Sequence, residues 1–221
     1  MTKIKLCGLS RLCDIEAANE IRPDYIGFVF SQKSKRYIRP EKAAELKKRL
    51  CPDIKTVGVF TDEKPENIAA LLESGVIEIA QLHGLEDDKY VRQLKLLCKK
   101  PVIQAFQIQT AYDIVRAEQS AADFVLLDAG AGAGTTFDWK LITNIKRPYF
   151  LAGGLNAENI VPAIQSLHPY AADISSGISD SNCRMAPAIC GSYIHMIMEI
   201  YIDRIAANMT RILMERLHSS L

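Results

Sequence analysis

The chain lacks several features that would narrow its class at once. No apolar stretch in its 221 residues approaches the roughly 18 uncharged residues of a membrane span. The opening Met1-Thr-Lys-Ile-Lys-Leu-Cys7 enters an alternating segment directly, with no signal-peptide core, so no targeting segment is expected. Dense basic runs are missing too: the net charge is +1, and the richest cluster, Lys33 to Arg39, is broken by Ser34 and Tyr37. That balance argues against nucleic acid or an anionic membrane as the main partner. The six cysteines (Cys7, Cys13, Cys51, Cys98, Cys183, Cys190) show no paired spacing and no histidine at zinc-site intervals, which points to reduced thiols in a cytoplasmic protein. No G-x-G-x-x-G follows the first apolar run, and no linker or low-complexity segment divides the chain.

What is present is regular alternation. Eight short runs rich in β-branched or aromatic residues predict strands: Ile4–Cys7, Tyr25–Phe30, Thr56–Phe60, Ile77–Leu82, Val102–Phe106, Phe124–Asp128, Tyr149–Ala152 and Ala172–Ser175. Helical patterns fall between them at Asp14–Ile21, Pro40–Leu50, Lys64–Ser74, Asp87–Cys98, Thr110–Gln119, Asp138–Ile145 and Ala157–Leu167. Pro65 suits a first helical position, Gly75 a stop, and Asn156 an N-cap. Strand–helix alternation at this spacing predicts a parallel sheet with helical crossovers. Eight units in this length fit a compact barrel better than an open sheet. The expected fold class is therefore α/β, a (β/α)8 TIM barrel, with residues 1–221 forming a single domain.

In such a barrel the chemistry sits at the carboxyl ends of the strands. Three late loops read together as a phosphate cradle: Gly130, Gly132 and Gly134 after the sixth strand, Gly153-Gly154 after the seventh, and Ser175-Ser176-Gly177 after the eighth. Glycines let backbone N–H groups approach an anion, although tight turns alone also call for glycine. Cys7 and Asp128 end two strands; a thiolate can take a carbon-bound proton and a carboxylic acid can protonate an oxygen, with no external cofactor. Either residue alone has a plainer reading, a buried thiol or a loop cap. Arg36 carries a planar fork suited to a carboxylate, or is a solvated loop cation. His83 is a substrate ligand or a satisfied histidine, and Asp173 could orient the Ser-Ser-Gly loop rather than touch substrate.

At these residues the chain resembles a known family. Lys5-Leu6-Cys7-Gly8-Leu9-Ser10 is similar to the opening K-[IV]-C-G-[IL]-T of phosphoribosylanthranilate isomerases, and Gly27-Phe28-Val29-Phe30 with Ser34-Lys35-Arg36-Tyr37 to their G-F-x-F…S-P-R segment. Val57–Phe60, Gln81-Leu82-His83-Gly84, Leu126–Asp128, Gly132–Gly134 with Phe137-Asp138-Trp139, Leu151–Leu155 and Asp173–Gly177 continue the match in order, over about residues 3 to 178. The resemblance implies an Amadori rearrangement of N-(5-phosphoribosyl)anthranilate in tryptophan biosynthesis. It implies Asp128 as general acid at the furanose oxygen and Cys7 as the base that takes the C2 proton. By the same resemblance Arg36 holds the anthranilate carboxylate and the Gly and Ser loops hold phosphate. The substrate is a small phosphoribosyl compound; no cofactor, metal, nucleic acid or membrane is expected, and monomer and homodimer both remain open.

Lys35 and Ala133 depart from the family's usual Pro and Thr. After Ile178 the chain reads Ser179-Asp-Ser-Asn-Cys-Arg-Met-Ala-Pro187 and cannot be aligned with the family's Gly-containing turn and last helix. Tyr193, Ile197, Ile200, Ile205, Met209, Ile212 and Leu217 nevertheless recur on one helical face. Three readings stand: the eighth barrel helix in altered sequence, a partner or dimer helix, or a changed reading frame. Rival activities for the whole chain are another phosphosugar barrel, such as an epimerase or a synthase, and a non-catalytic phosphosugar-binding barrel. If the tail covers the barrel, ending the chain at Ile178 lowers the melting temperature or the solubility. A soluble truncated chain that melts with the full one overturns that reading.

Overall fold

In the computed structural model, residues 2–128, 139–142 and 145–178 are described. Eight parallel strands close into one ring in chain order: β1 (Lys3–Cys7), β2 (Tyr25–Val29), β3 (Lys55–Phe60), β4 (Ile79–Leu82), β5 (Val102–Gln107), β6 (Phe124–Asp128), β7 (Tyr149–Leu151) and β8 (Ala171–Ile174). All eight lie where the apolar runs predict them, with ends shifted by one or two residues. The ring closes where β8 pairs with β1, setting Lys5 opposite Asp173 and Leu6 opposite Ile174.

Helices α1 (Leu12–Ile21), α2 (Pro40–Lys47), α3 (Pro65–Glu73), α4 (Asp88–Cys98), α5 (Ala111–Glu118) and α6 (Ile160–Leu167) lie between the strands, with a 3-10 turn at Trp139–Leu141. α1 begins two residues before its expected start. The Asp14 carboxylate accepts the N–H groups of Ser10 (2.9 Å) and Arg11 (2.8 Å), so it caps the helix from inside its first turn. α6 begins later than expected: Asn156 accepts the N–H groups of Glu158 (2.9 Å) and Asn159 (3.1 Å) and so caps a turn that leads into the helix. Pro65 is a first-turn proline, and Gly75 takes the positive φ of 74° just past the end of α3. The expected Asp138–Ile145 helix is represented by the 3-10 turn; Asp138, Thr143 and Asn144 lie outside the described residues, as does the whole tail 179–221.

Strands buried on both faces divide the apolar residues into two cores. Outward-pointing Ile4, Leu6, Phe28, Phe60, Leu82, Leu127 and Leu151 pack against the helices. Inward-pointing Tyr25, Val57, Ile79, Ile103, Leu126 and Phe150 fill the barrel. At its amino end Phe150 meets Tyr25 (ring centroids 5.6 Å apart), Phe124 (5.8 Å) and Tyr170 (5.7 Å). The Lys3 ammonium donates to the Tyr170 hydroxyl (2.9 Å) and lies over the same ring.

Three acids fasten the starts of alternate strands. Asp24 accepts from Ile4 N–H (2.8 Å), Glu78 from Thr56 N–H (3.0 Å) and Asp123 from Val102 N–H (2.9 Å). Each acid immediately precedes β2, β4 or β6 and satisfies an end donor of the strand before it.

Phe150 is fully buried at the centre of the inner core. Phe150→Ala is expected to destabilise the fold by about 3–5 kcal/mol in urea unfolding; a loss under about 1 kcal/mol, less than a single buried methylene pair accounts for, would show that the barrel floor can collapse around the gap.

Candidate active site

The alternation that fills the barrel also builds its mouth. On β1, Lys3, Lys5 and Cys7 share the inward face, from floor to rim. At the rim, Cys7, Val29, Val59, Gln81, Asp128, Ala152, Asp173 and Ser175 surround a cavity of about 430 Å³, which the loops after β2 and β7 extend. Cys7 and Asp128, on strands at different parts of the ring, are thus brought into one cavity, as are Arg36, His83, Gly153, Gly154, Ser175 and Ser176. Gly177 lies in the 3-10 turn Ser176–Ile178 and does not line it. Gly132 and Gly134 lie outside the described residues.

Cys7 sits in a tight setting. A Cβ on Gly27 would lie 2.6 Å from the Cys7 sulfur and 3.2 Å from its Cα, so only glycine at this position of β2 leaves the thiol its place. Val29 and Val59 pack beside it, and the Ser175 hydroxyl donates to the Cys7 carbonyl (3.3 Å). Burial pushes the Cys7 thiol up from its ordinary value. The Lys5 and Arg36 cations pull against that rise, and the Asp173 carboxylate adds to it.

Gly8 shows why the K-x-C-G sequence needs its last residue. Its φ is +92°, and a side chain there would run into Arg36. The empty space lets the Arg36 chain lie across the end of β1, while the Ser34 hydroxyl accepts the Arg36 N–H (3.1 Å). Across the mouth, His83 Nε2 is 3.2 Å from Asp128 Oδ2, and Gln81 Nε2 is 3.2 Å from His83 Nδ1. The two ring nitrogens of His83 thus face Gln81 and Asp128, and the tautomer decides which of them donates. Gly153 and Gly154 both adopt positive φ (88° and 63°), and their loop is braced by Asn159, whose amide donates to the Gly154 carbonyl (2.9 Å).

Asp173 differs from its expected role. Its carboxylate does not tie to the Ser-Ser-Gly loop but accepts from Lys5 Nζ at 2.6 Å inside the barrel, because β8 turns this position inward opposite Lys5. Gln81 lines the cavity as well, and Lys5 is buried on the inward face of β1 one position below Cys7. Period-two counting along β1 and β4 is the signal in the chain that turns both inward.

The family model described as N-(5'phosphoribosyl)anthranilate (PRA) isomerase matches residues 4–182. The N-(5'-phosphoribosyl)anthranilate isomerase of Endomicrobium trichonymphae is 41% identical over 189 residues, 83% of this chain and 92% of its own length. The chain belongs to the PRA isomerase family. Among solved structures, PRA isomerase from Thermus thermophilus superposes with a TM-score of 0.81 at 30% identity, covering 90% of this chain and 100% of that one. A PRA isomerase in complex with reduced 1-(o-carboxyphenylamino)-1-deoxyribulose 5-phosphate reaches 0.79 at 34% identity with the same coverage. The family is one of isomerases in tryptophan biosynthesis, so the reaction class and the barrel both agree with the resemblance read from the motifs.

Gly27→Ala is expected to swing the Cys7 sulfur out of its place and to destabilise the protein by about 1–3 kcal/mol in urea unfolding. Unchanged stability together with an unmoved sulfur in a crystal structure would refute the close-approach account.

Proposed function

We propose that this PRA isomerase family member converts N-(5'-phosphoribosyl)anthranilate to 1-(2-carboxyphenylamino)-1-deoxyribulose 5-phosphate with Cys7 and Asp128 as its acid–base pair. The observation that carries this assignment is their convergence from β1 and β6 on one cavity, in which a cation and a glycine-rich rim are also present. Asp128, as the neutral acid, gives its proton to the furanose ring oxygen; the C1–O bond breaks and the nitrogen lone pair completes a Schiff base. The Cys7 thiolate takes the C2 proton as the C–H pair becomes the C1=C2 bond and the C1=N pair returns to nitrogen; the resulting enolamine gains a proton at C1 and loses its C2 hydroxyl proton to give the ketone. Reactant and product are isomers, so no redox partner enters.

Arg36 is assigned to the anthranilate carboxylate, for which its planar fork is suited. Gly153, Gly154, Ser175 and Ser176 are assigned to the phosphate, with Gly177 shaping the turn behind the serines; Gly132 and Gly134 belong to the same proposed cradle. His83 is assigned to Asp128 rather than to substrate, since its Nε2 faces that carboxylate. The reading extends to one domain over residues 1–221 and a cytoplasmic setting. A base that must remain a thiol is preserved by a reducing compartment, and Cys7, Cys13, Cys51 and Cys98 are all free thiols.

The decisive measurement is turnover of freshly made phosphoribosylanthranilate, followed by loss of anthranilate-type fluorescence. Cys7→Ala and Asp128→Ala are each expected to lower kcat by about 10²–10⁴-fold, the usual worth of a positioned acid or base, with folding intact. Variants that keep near-parent kcat would sink the assignment. A folded parent that binds the reduced product analogue without turnover would favour the non-catalytic binding barrel instead.

A further inference from the structure

Lys5 is fully buried, a cation held at 0% exposure inside the barrel. The acid–base scheme gives it no task, and a buried ion pair is weak support for stability, since methionine-like packing commonly serves as well. Its surroundings are specific. Lys5 Nζ donates to Asp173 Oδ2 at 2.6 Å across the β1–β8 seam, and Cys7 is the next inward position above it on β1. Asp173 Oδ1 is buried without a hydrogen-bond partner and its residue borders the cavity. The pair therefore forms a charged floor directly beneath the proposed base.

We propose that Lys5, held by Asp173, is a positioning residue that orients the Cys7 sulfur and supports its anionic form beneath the substrate. The proposal rests on the assignment of Cys7 as base. The chemistry requires something of this kind. Cys7 is walled by Val29 and Val59, and burial alone would leave it a neutral, inert thiol. Of the charged groups facing the sulfur, Lys5 lies below it on β1, Asp173 beside Lys5 on β8, and Arg36 arrives from the loop after β2. His83 and Asp128 border the same cavity from β4 and β6. Arg36 is committed to a substrate anion when the site is filled. Lys5 is sealed from solvent, so its charge serves the sulfur throughout the cycle. Asp173 keeps the ammonium protonated: burial opposes that charge, yet the carboxylate and the thiol together raise the Lys5 pKa. Asp173 also opposes ionisation of the sulfur, but the Lys5 cation is the stronger influence of the two.

A cation beside a thiol favours thiolate, so removing it raises the pH at which Cys7 ionises. The test reads the pH dependence of Cys7 alkylation by iodoacetamide, quantified on the Cys7 peptide by mass spectrometry, alongside kcat against pH in the full chain. In Lys5→Met the alkylation midpoint is expected to move upward by about one to three units, and the rising limb of kcat to move with it. Lys5→Arg, which keeps the cation, is expected to restore most of both. Because Lys5→Met strands a buried carboxylate, the double variant Lys5→Met/Asp173→Asn removes both charges and retains the packing. It should melt close to the parent and still show the upward shift. A double variant that folds and keeps the parental Cys7 midpoint overturns the proposal and reduces the pair to a structural feature. A shifted midpoint with an unshifted kcat limb upholds the influence of Lys5 on the sulfur and removes Cys7 from the role of base.

Discussion

The closing of β8 onto β1 is the constraint on which the rest of the barrel depends. Every other strand pair joins neighbours in the chain, but this one joins residues separated by nearly its whole described length, with Lys5 opposite Asp173. Loop-closure entropy makes such a pairing the costly one to form, and its register decides which side chains face inward. A one-residue slip of β1 against β8 would turn Lys5 towards the helices and Leu6 towards the interior, while Asp173 stayed inward without its partner. The buried ion pair at the seam penalises that slip, since either partner alone would be an uncompensated charge.

With the register set, the site follows from a simple count. Two residues beyond Lys5 is Cys7, and inward positions on the neighbouring strands supply Gly27, Val59, Gln81 and Asp128 at or near the same rim. Glycine is required at two places here for different reasons. Gly27 gives up its side chain to the sulfur, and Gly8 gives up its own to Arg36 while turning the chain out of β1. The rim is thus assembled from backbone decisions taken on β1 and β2 before any substrate is considered.

Strand positions are legible in the chain because a short β-branched and aromatic run between helical patterns suits a parallel strand buried on both faces and little else. All eight strands lie where those runs fall. Helix starts are less legible. Asp14 caps α1 from within its first turn, and Asn156, four residues before the first residue of α6, caps the turn that leads into it, so neither acts from the position that a cap in front of a helix would imply. The acids Asp24, Glu78 and Asp123, which fasten the starts of β1, β3 and β5, look in the chain like ordinary polar residues before a strand. Their partners lie a strand away, and local patterns carry no such information. In the site, Cys7, Asp128 and Arg36 are legible from their strand ends and the family motifs. Asp173 is not, because its neighbours Ser175 and Ser176 suggest a loop partner, whereas its true partner is 168 residues distant.

The aromatic floor has a consequence for how the barrel meets water. Phe124 and Tyr170 stack at 4.9 Å, Phe150 lies above them, and the Lys3 ammonium is clamped between the Tyr25 and Tyr170 hydroxyls at the amino end. Among the described residues these side chains close the amino end of the barrel interior. Among the described residues the cavity opens at the carboxyl-end rim, and whatever occupies that opening stands between the interior and bulk solvent. A bound ligand would stopper the vessel as well as fill it, leaving the Lys5–Asp173 pair no exchange with water while it stays.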